Sequence, residues 1–219
     1  MKRRVITGLV VTILGLLLND PHWASAKEPY WEKYHIELSG FSEPQILALE
    51  TTLNQLRALV PGDLRMNRRT YQRLSRFEPL FGFSFNGPDL FHWLLSRIHR
   101  LSLKNKWTVA LNQNKGHFIV GDAFFTKLTP LERLYTLVHE ARHSDDDGYD
   151  HVRCPKGFPY VPSRQPEMDL EKEPACDATN NGAYAFQSAF LFELFAYGLF
   201  VEQTDVGLLY NSSIARVMP

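Results

Sequence analysis

Residues 139 to 143 read His139-Glu140-Ala141-Arg142-His143. This pattern constrains the fold more than any other stretch, because it ties a metal-binding geometry to a helix. Residues four apart lie one turn apart on the same helical face, so the two imidazoles can reach a single ion. The glutamate between them occupies the adjacent sector, within reach of a water held by that ion. The flanking residues support the helix. Thr129-Pro130-Leu131-Glu132 is a start signal, with Thr129 as N-cap, Pro130 at the first helical position and Glu132 closing a capping box. Leu131, Leu134, Tyr135, Leu137 and Val138 form an apolar stripe that buries the helix. Gly148 follows its expected end.

The N-terminus is equally directive. Lys2, Arg3 and Arg4 precede an apolar run from Val5 to Leu18, and Ala24-Ser25-Ala26 matches an A-x-A cleavage site. The run is short for a membrane span. The expectation is a cleaved signal peptide over residues 1–26 and a single mature domain over 27–219, secreted or periplasmic, with no stable membrane span after cleavage. The formal charge of the whole chain is zero. Losing Lys2, Arg3, Arg4 and Asp20 leaves the mature chain slightly acidic, which argues against nucleic acid or an anionic membrane as partner. Two cysteines, Cys154 and Cys176, lie in the exported part, where such a pair most often forms a disulfide.

Along the chain, Ser42-Glu43-Pro44-Gln45 opens a helix that runs to about Leu59 and stops at Pro61-Gly62. A second helix is expected over Met66 to Phe77, with Arg68, Arg69, Arg73 and Arg76 on a solvated face. Gly87-Pro88-Asp89 starts a third, reaching Ile98. Trp107 to Leu111 and His117 to Val120 then alternate in strand fashion around the turn residues 112 to 116. A strand before the metal helix can offer its edge to an extended peptide. Residues 154 to 174 carry five prolines and read as an irregular loop. Ala183 to Val201 is largely apolar but interrupted by Gln187, Ser188 and Glu193, which favours a buried core helix over a membrane span. The fold class expected is α+β, mostly helical, with a small β-hairpin or sheet beside the metal helix.

Two histidines do not complete a catalytic metal site, which normally takes three protein ligands and a water. Three residues compete for the third place. His151 follows a glycine turn after His143. Asp177 follows Cys176 and is drawn towards His151 if the cysteines pair. Glu193 is an acid in an apolar helix and must find a partner or a proton. Asp177 can instead cap the last helix or orient a ligand histidine. Asp145, Asp146 and Asp147 read as a solvated acidic turn, or as a weak calcium site.

On these residues the chain resembles the zincins, the class of H-E-x-x-H metallopeptidases, over roughly Trp107 to His143. His139 to His143, His151-Val-Arg-Cys154, Cys176-Asp177 and Gly182-Ala183-Tyr184 are also similar to a group of uncharacterised secreted bacterial proteins. The first resemblance implies a zincin-like fold, Zn2+ at His139 and His143, and Glu140 as general base. It further implies a Tyr or His that stabilises the oxyanion, for which Tyr149, Tyr184 and His117 are candidates. Met168 compares with a methionine turn. The function implied is a secreted zinc-dependent peptidase acting on a peptide or protein. The alternatives are a non-catalytic, zinc-stabilised binding or structural protein, and a cell-wall amidase, although no glycan-binding repeat is present.

Overall fold

A computed structural model describes residues 29–57, 64–82, 85–104, 109–145, 149–158, 170–197 and 203–218. The expected signal peptide, the helix stop expected at Pro61-Gly62, Asp146, Asp147, Gly148 and Met168 lie outside them. The chain opens with α1 (Tyr30–Lys33), β1 (Glu37–Ser39) and α2 (Glu43–Arg57), followed by α3 (Arg68–Leu74), α4 (Glu78–Phe81) and α5 (Gly87–Ser96). Next come β2 (Arg100–Leu103), β3 (Ala110–Asn114), β4 (His117–Val120), α6 (Asp122–Thr126) and α7 (Pro130–Arg142). The last elements are β5 (Val152–Arg153), β6 (Pro174–Cys176), α8 (Ala183–Tyr197) and α9 (Gln203–Ile214). The architecture is α+β and dominated by helix.

Local signals explain most helix starts. Thr129 and Glu132 form the reciprocal capping box of α7. Asn86 caps α5 by accepting from the Asp89 amide, and Asn67 caps α3 by accepting from the Arg69 and Thr70 amides. The helix expected over Met66 to Phe77 is shorter, α3 covering Arg68–Leu74, and a separate short helix, α4, follows at Glu78–Phe81. The chain leaves helical geometry at Ser75, which has ψ 65°, and the ring of Phe77 turns in against Phe81, Phe85 and Phe192. Arg68, Arg69, Arg73 and Arg76 are exposed, as a solvated face requires.

The expected hairpin belongs to a larger sheet with strand order β1-β2-β4-β3. The β1–β2 and β2–β4 pairs are parallel, and only β3–β4 is antiparallel. The tight turn sits at Lys115-Gly116, with Gly116 at φ 82°; a side chain there would also meet the His99 ring at 2.5 Å. Asn112 is therefore a strand residue, not a turn residue. β3 lies at the sheet edge, and α7 packs beside it.

One apolar cluster unites the elements: Leu49 and Leu53 of α2, Leu90 and Leu94 of α5, Phe118 of β4, Leu134 and Val138 of α7, and Phe186 and Phe190 of α8. α8 is buried on nearly every side, as a helix apolar all round should be. Its polar interruptions are satisfied internally. Ser188 donates to the Tyr184 carbonyl, Gln187 accepts from Ser213, and Glu193 accepts from Tyr71. No helix among the described residues is long and apolar enough to cross a membrane.

Candidate metal centre

α7 delivers His139 from its buried face, and His143 stands at its C-terminal cap. Their Nε2 atoms are 3.3 Å apart. Beyond α7, Tyr149 adopts a left-handed conformation with φ 38°, and the chain returns so that His151 Nε2 lies 3.1 Å from His139 Nε2. One ligand nitrogen from each of the three histidines falls within 4.8 Å of the others. Glu193 is not among them. It lies nine residues beyond Tyr184 along α8 and takes hydrogen bonds from the Tyr71 hydroxyl at 2.8 and 3.1 Å.

Asp177 faces the cluster from behind. Its Oδ1 is 3.1 Å from His151 Nδ1, and its Oδ2 accepts from the Ala185 amide in the first turn of α8 at 3.0 Å. A carboxylate acceptor requires the proton on Nδ1, which leaves the Nε2 lone pair pointing at the other two histidines. Asp177 thus orients a ligand and helps cap α8. Three elements hold it there. The Cys154–Cys176 disulfide immediately precedes it, β5 and β6 pair across the same segment, and its backbone bridges to Val217 after α9. Gly182 is required by contact: a Cβ would come within 2.5 Å of the Asp177 carboxyl group.

These residues fit a metal ion. Nitrogens bound tetrahedrally at about 2.1 Å lie roughly 3.4 Å apart, close to the 3.1 and 3.3 Å found here. Three converging lone pairs repel unless a cation sits between them, and an all-imidazole set suits zinc, copper, iron or nickel. Burial pushes the His139 pKa well below its ordinary 6.5. The neighbouring His143 and His151, and then Arg216, push the same way, while contact with Gln187 opposes them. His139 is therefore neutral, the state that binds metals.

Glu140 points to the sheet. Its Oε2 accepts from the Asn112 amide of edge strand β3 at 2.8 Å. Burial raises its carboxyl to about 7 against the ordinary 4.5, and the Asn112 hydrogen bond acts in the opposite direction. The Asn112 side chain donates to the Glu140 carbonyl at 3.0 Å and to Ser144 Oγ at 2.6 Å. Ser144 Oγ in turn accepts from the Gly116 amide at 3.0 Å. The hairpin and the end of α7 are clasped together.

Of the three aromatic candidates, Tyr184 reaches the cluster. Its ring stacks on His151 at 4.6 Å and lies 4.5 Å from His139, and its phenol oxygen accepts from Arg216 Nη1. Tyr149 instead lies over the Arg142 guanidinium at 3.8 Å. His117 pairs with Ser102 at 3.1 Å, and burial followed by Arg100 and Lys104 lowers its pKa. Asp145 does not belong to a solvated turn. It is buried and paired with both Arg97 and Arg142.

Arg142, Asn112, Ser144 and Arg216 were not visible as site residues in the sequence. A signal existed for Arg142, which continues the buried row of Leu131, Leu134 and Val138 at helical spacing and donates to the Asn181 carbonyl at 2.9 and 3.1 Å. Arg216 had none, since it arrives from beyond α9. No known protein-family model, curated protein or solved structure matches this chain.

Proposed function

We propose that the protein is an exported zinc-dependent hydrolase of amide bonds, acting on a peptide or protein. The observation that carries this reading is the convergence of His151, held by Asp177, on the two histidines of α7, the helix that also carries Glu140. His139, His143 and His151 would hold a divalent ion, which when bound would supply Lewis acidity towards a carbonyl oxygen and towards water. Glu140 accepts the proton of the attacking water at a carboxylate oxygen and delivers it to the nitrogen that leaves as the C–N bond breaks. The Asn112 amide aims that carboxylate. Tyr184, with Arg216 donating to its oxygen, is the donor for charge developing on the carbonyl oxygen. β3, at the sheet edge beside α7, is the strand along which an extended substrate aligns.

The test is metal analysis of the purified protein together with a chelator-sensitive cleavage screen over a broad peptide pool. Glu140→Gln is expected to keep the zinc and lose hydrolysis; full activity in that variant would sink the proposal. A second reading, a zinc-stabilised binding module, draws on the engagement of Glu140 by a backbone amide. Bound zinc with no cleavage of any peptide favours that module.

A further inference from the structure

At the far end of α8 from the histidines, Glu193 is 1% exposed. Its carboxylate takes both of its hydrogen bonds from one group, the Tyr71 hydroxyl. Among the described residues no Lys, Arg or His forms an ion pair with it. A buried carboxylate without a counter-charge is costly, and proteins normally supply one. The carboxylate lines a cavity of about 480 Å³ between α3, α4 and α8, large enough for a small ligand. The rings of Tyr71, Phe77, Phe85 and Tyr197 also line it, and Arg68, Glu78 and Asn86 contribute outer polar groups. Phe77 and Phe85 pack at 5.3 Å, and Tyr71 and Tyr197 meet edge-on at 6.2 Å.

Aromatic faces carry negative electrostatic potential and attract cations. A carboxylate set among them selects a positive ligand of low hydration. Of the two carboxylates in the lining Glu193 alone is buried and Glu78 is exposed, so too few oxygens converge for calcium or magnesium, which need about six. The cationic side chain in the lining, Arg68, is exposed, so no buried positive charge in the lining favours an anion. We propose that this cavity binds a small organic ammonium ion, with its charge against Glu193 and its apolar part against Phe77 and Phe85. Burial raises the Glu193 carboxyl to about 7, which a bound cation would reverse. The proposal is independent of the metal centre.

The experiment is a calorimetric titration of the full-chain protein as purified, at about pH 8, above the Glu193 pKa of about 7. The probes are benzyltrimethylammonium, which has no lone pair to offer a metal, and benzyl alcohol, its uncharged counterpart. The cation is expected to bind saturably and at least about tenfold more tightly than the alcohol. Glu193→Gln, which keeps a partner for Tyr71, is expected to remove about tenfold or more of that affinity. Equal binding of the two probes overturns the proposal, as does no saturable binding of the cation up to about 10 mM. The probe comparison uses the unmodified protein, so it decides the matter even if the variant fails to fold. Cation binding that Glu193→Gln leaves unchanged also overturns it.

Discussion

The Asp177 carboxylate is divided between His151 and the Ala185 amide, so a change there acts on the metal through the ligand it orients. Asp177→Asn is expected to lower zinc affinity by about 10- to 100-fold, read by competition with a chromogenic chelator. Gly182→Ala should act in the same direction, because its new Cβ displaces that carboxylate; unchanged affinity in both variants contradicts the orienting role. Glu140 must be ionised to take a proton, so hydrolysis should rise with pH, with its acid limb at or below about 7. A rate that instead falls between about pH 5 and 7 excludes Glu140 as the base. Glu193 affects stability rather than the metal. Its carboxyl is raised from 4.5 to about 7, so its contribution is fully present below pH 4.5 and lost as pH rises through 7. Glu193→Gln should therefore gain about 3 kcal/mol relative to wild type between pH 4.5 and about 8, measured by urea unfolding at both pH values.

Among the elements, β3 and α7 are joined by a clasp that a single substitution can open. Asn112 reaches the Glu140 carbonyl and Ser144 with one side-chain amide. Asn112→Ala is expected to destabilise the fold by about 1–2 kcal/mol and to lower kcat more than zinc content; a drop in zinc content with kcat per bound zinc intact argues against it. α7 itself was legible from Thr129 to His143, because a capping box, an apolar stripe and the histidine spacing are all properties of consecutive residues. So was α8, whose buried polar residues mark it as a core helix. β1 and β2 were not. Each is a short strand paired in parallel across long stretches of chain, and such pairing leaves no local trace. The early end of the expected second helix, at Leu74 rather than Phe77, goes with Phe77 joining an aromatic cluster that includes Phe192 of α8, again a non-local cause.

In the molecule as a whole, the histidine cluster and its surroundings are assembled from pieces far apart in sequence: α7, the segment holding His151, the disulfide-linked ribbon, the start of α8 and the chain after α9. Replacing Cys154 and Cys176 together by serine should therefore cost about 3 kcal/mol of stability and also weaken zinc binding, since the bridge flanks both His151 and Asp177. A stability loss with zinc affinity untouched would show the bridge to be a general staple only. The sequence by itself placed His139 and His143 one turn apart on a helix with Glu140 between them, paired the cysteines and gave the chain its helical character, because each depends on neighbours or on residue chemistry. Only the tertiary structure showed which of His151, Asp177 and Glu193 clusters with that pair, namely His151. All three are plausible ligands by chemistry, and the sequence does not say which returns to α7. His151 lies beside His139 and His143, Asp177 stands behind it, and Glu193 sits at the other end of α8, beside Tyr71.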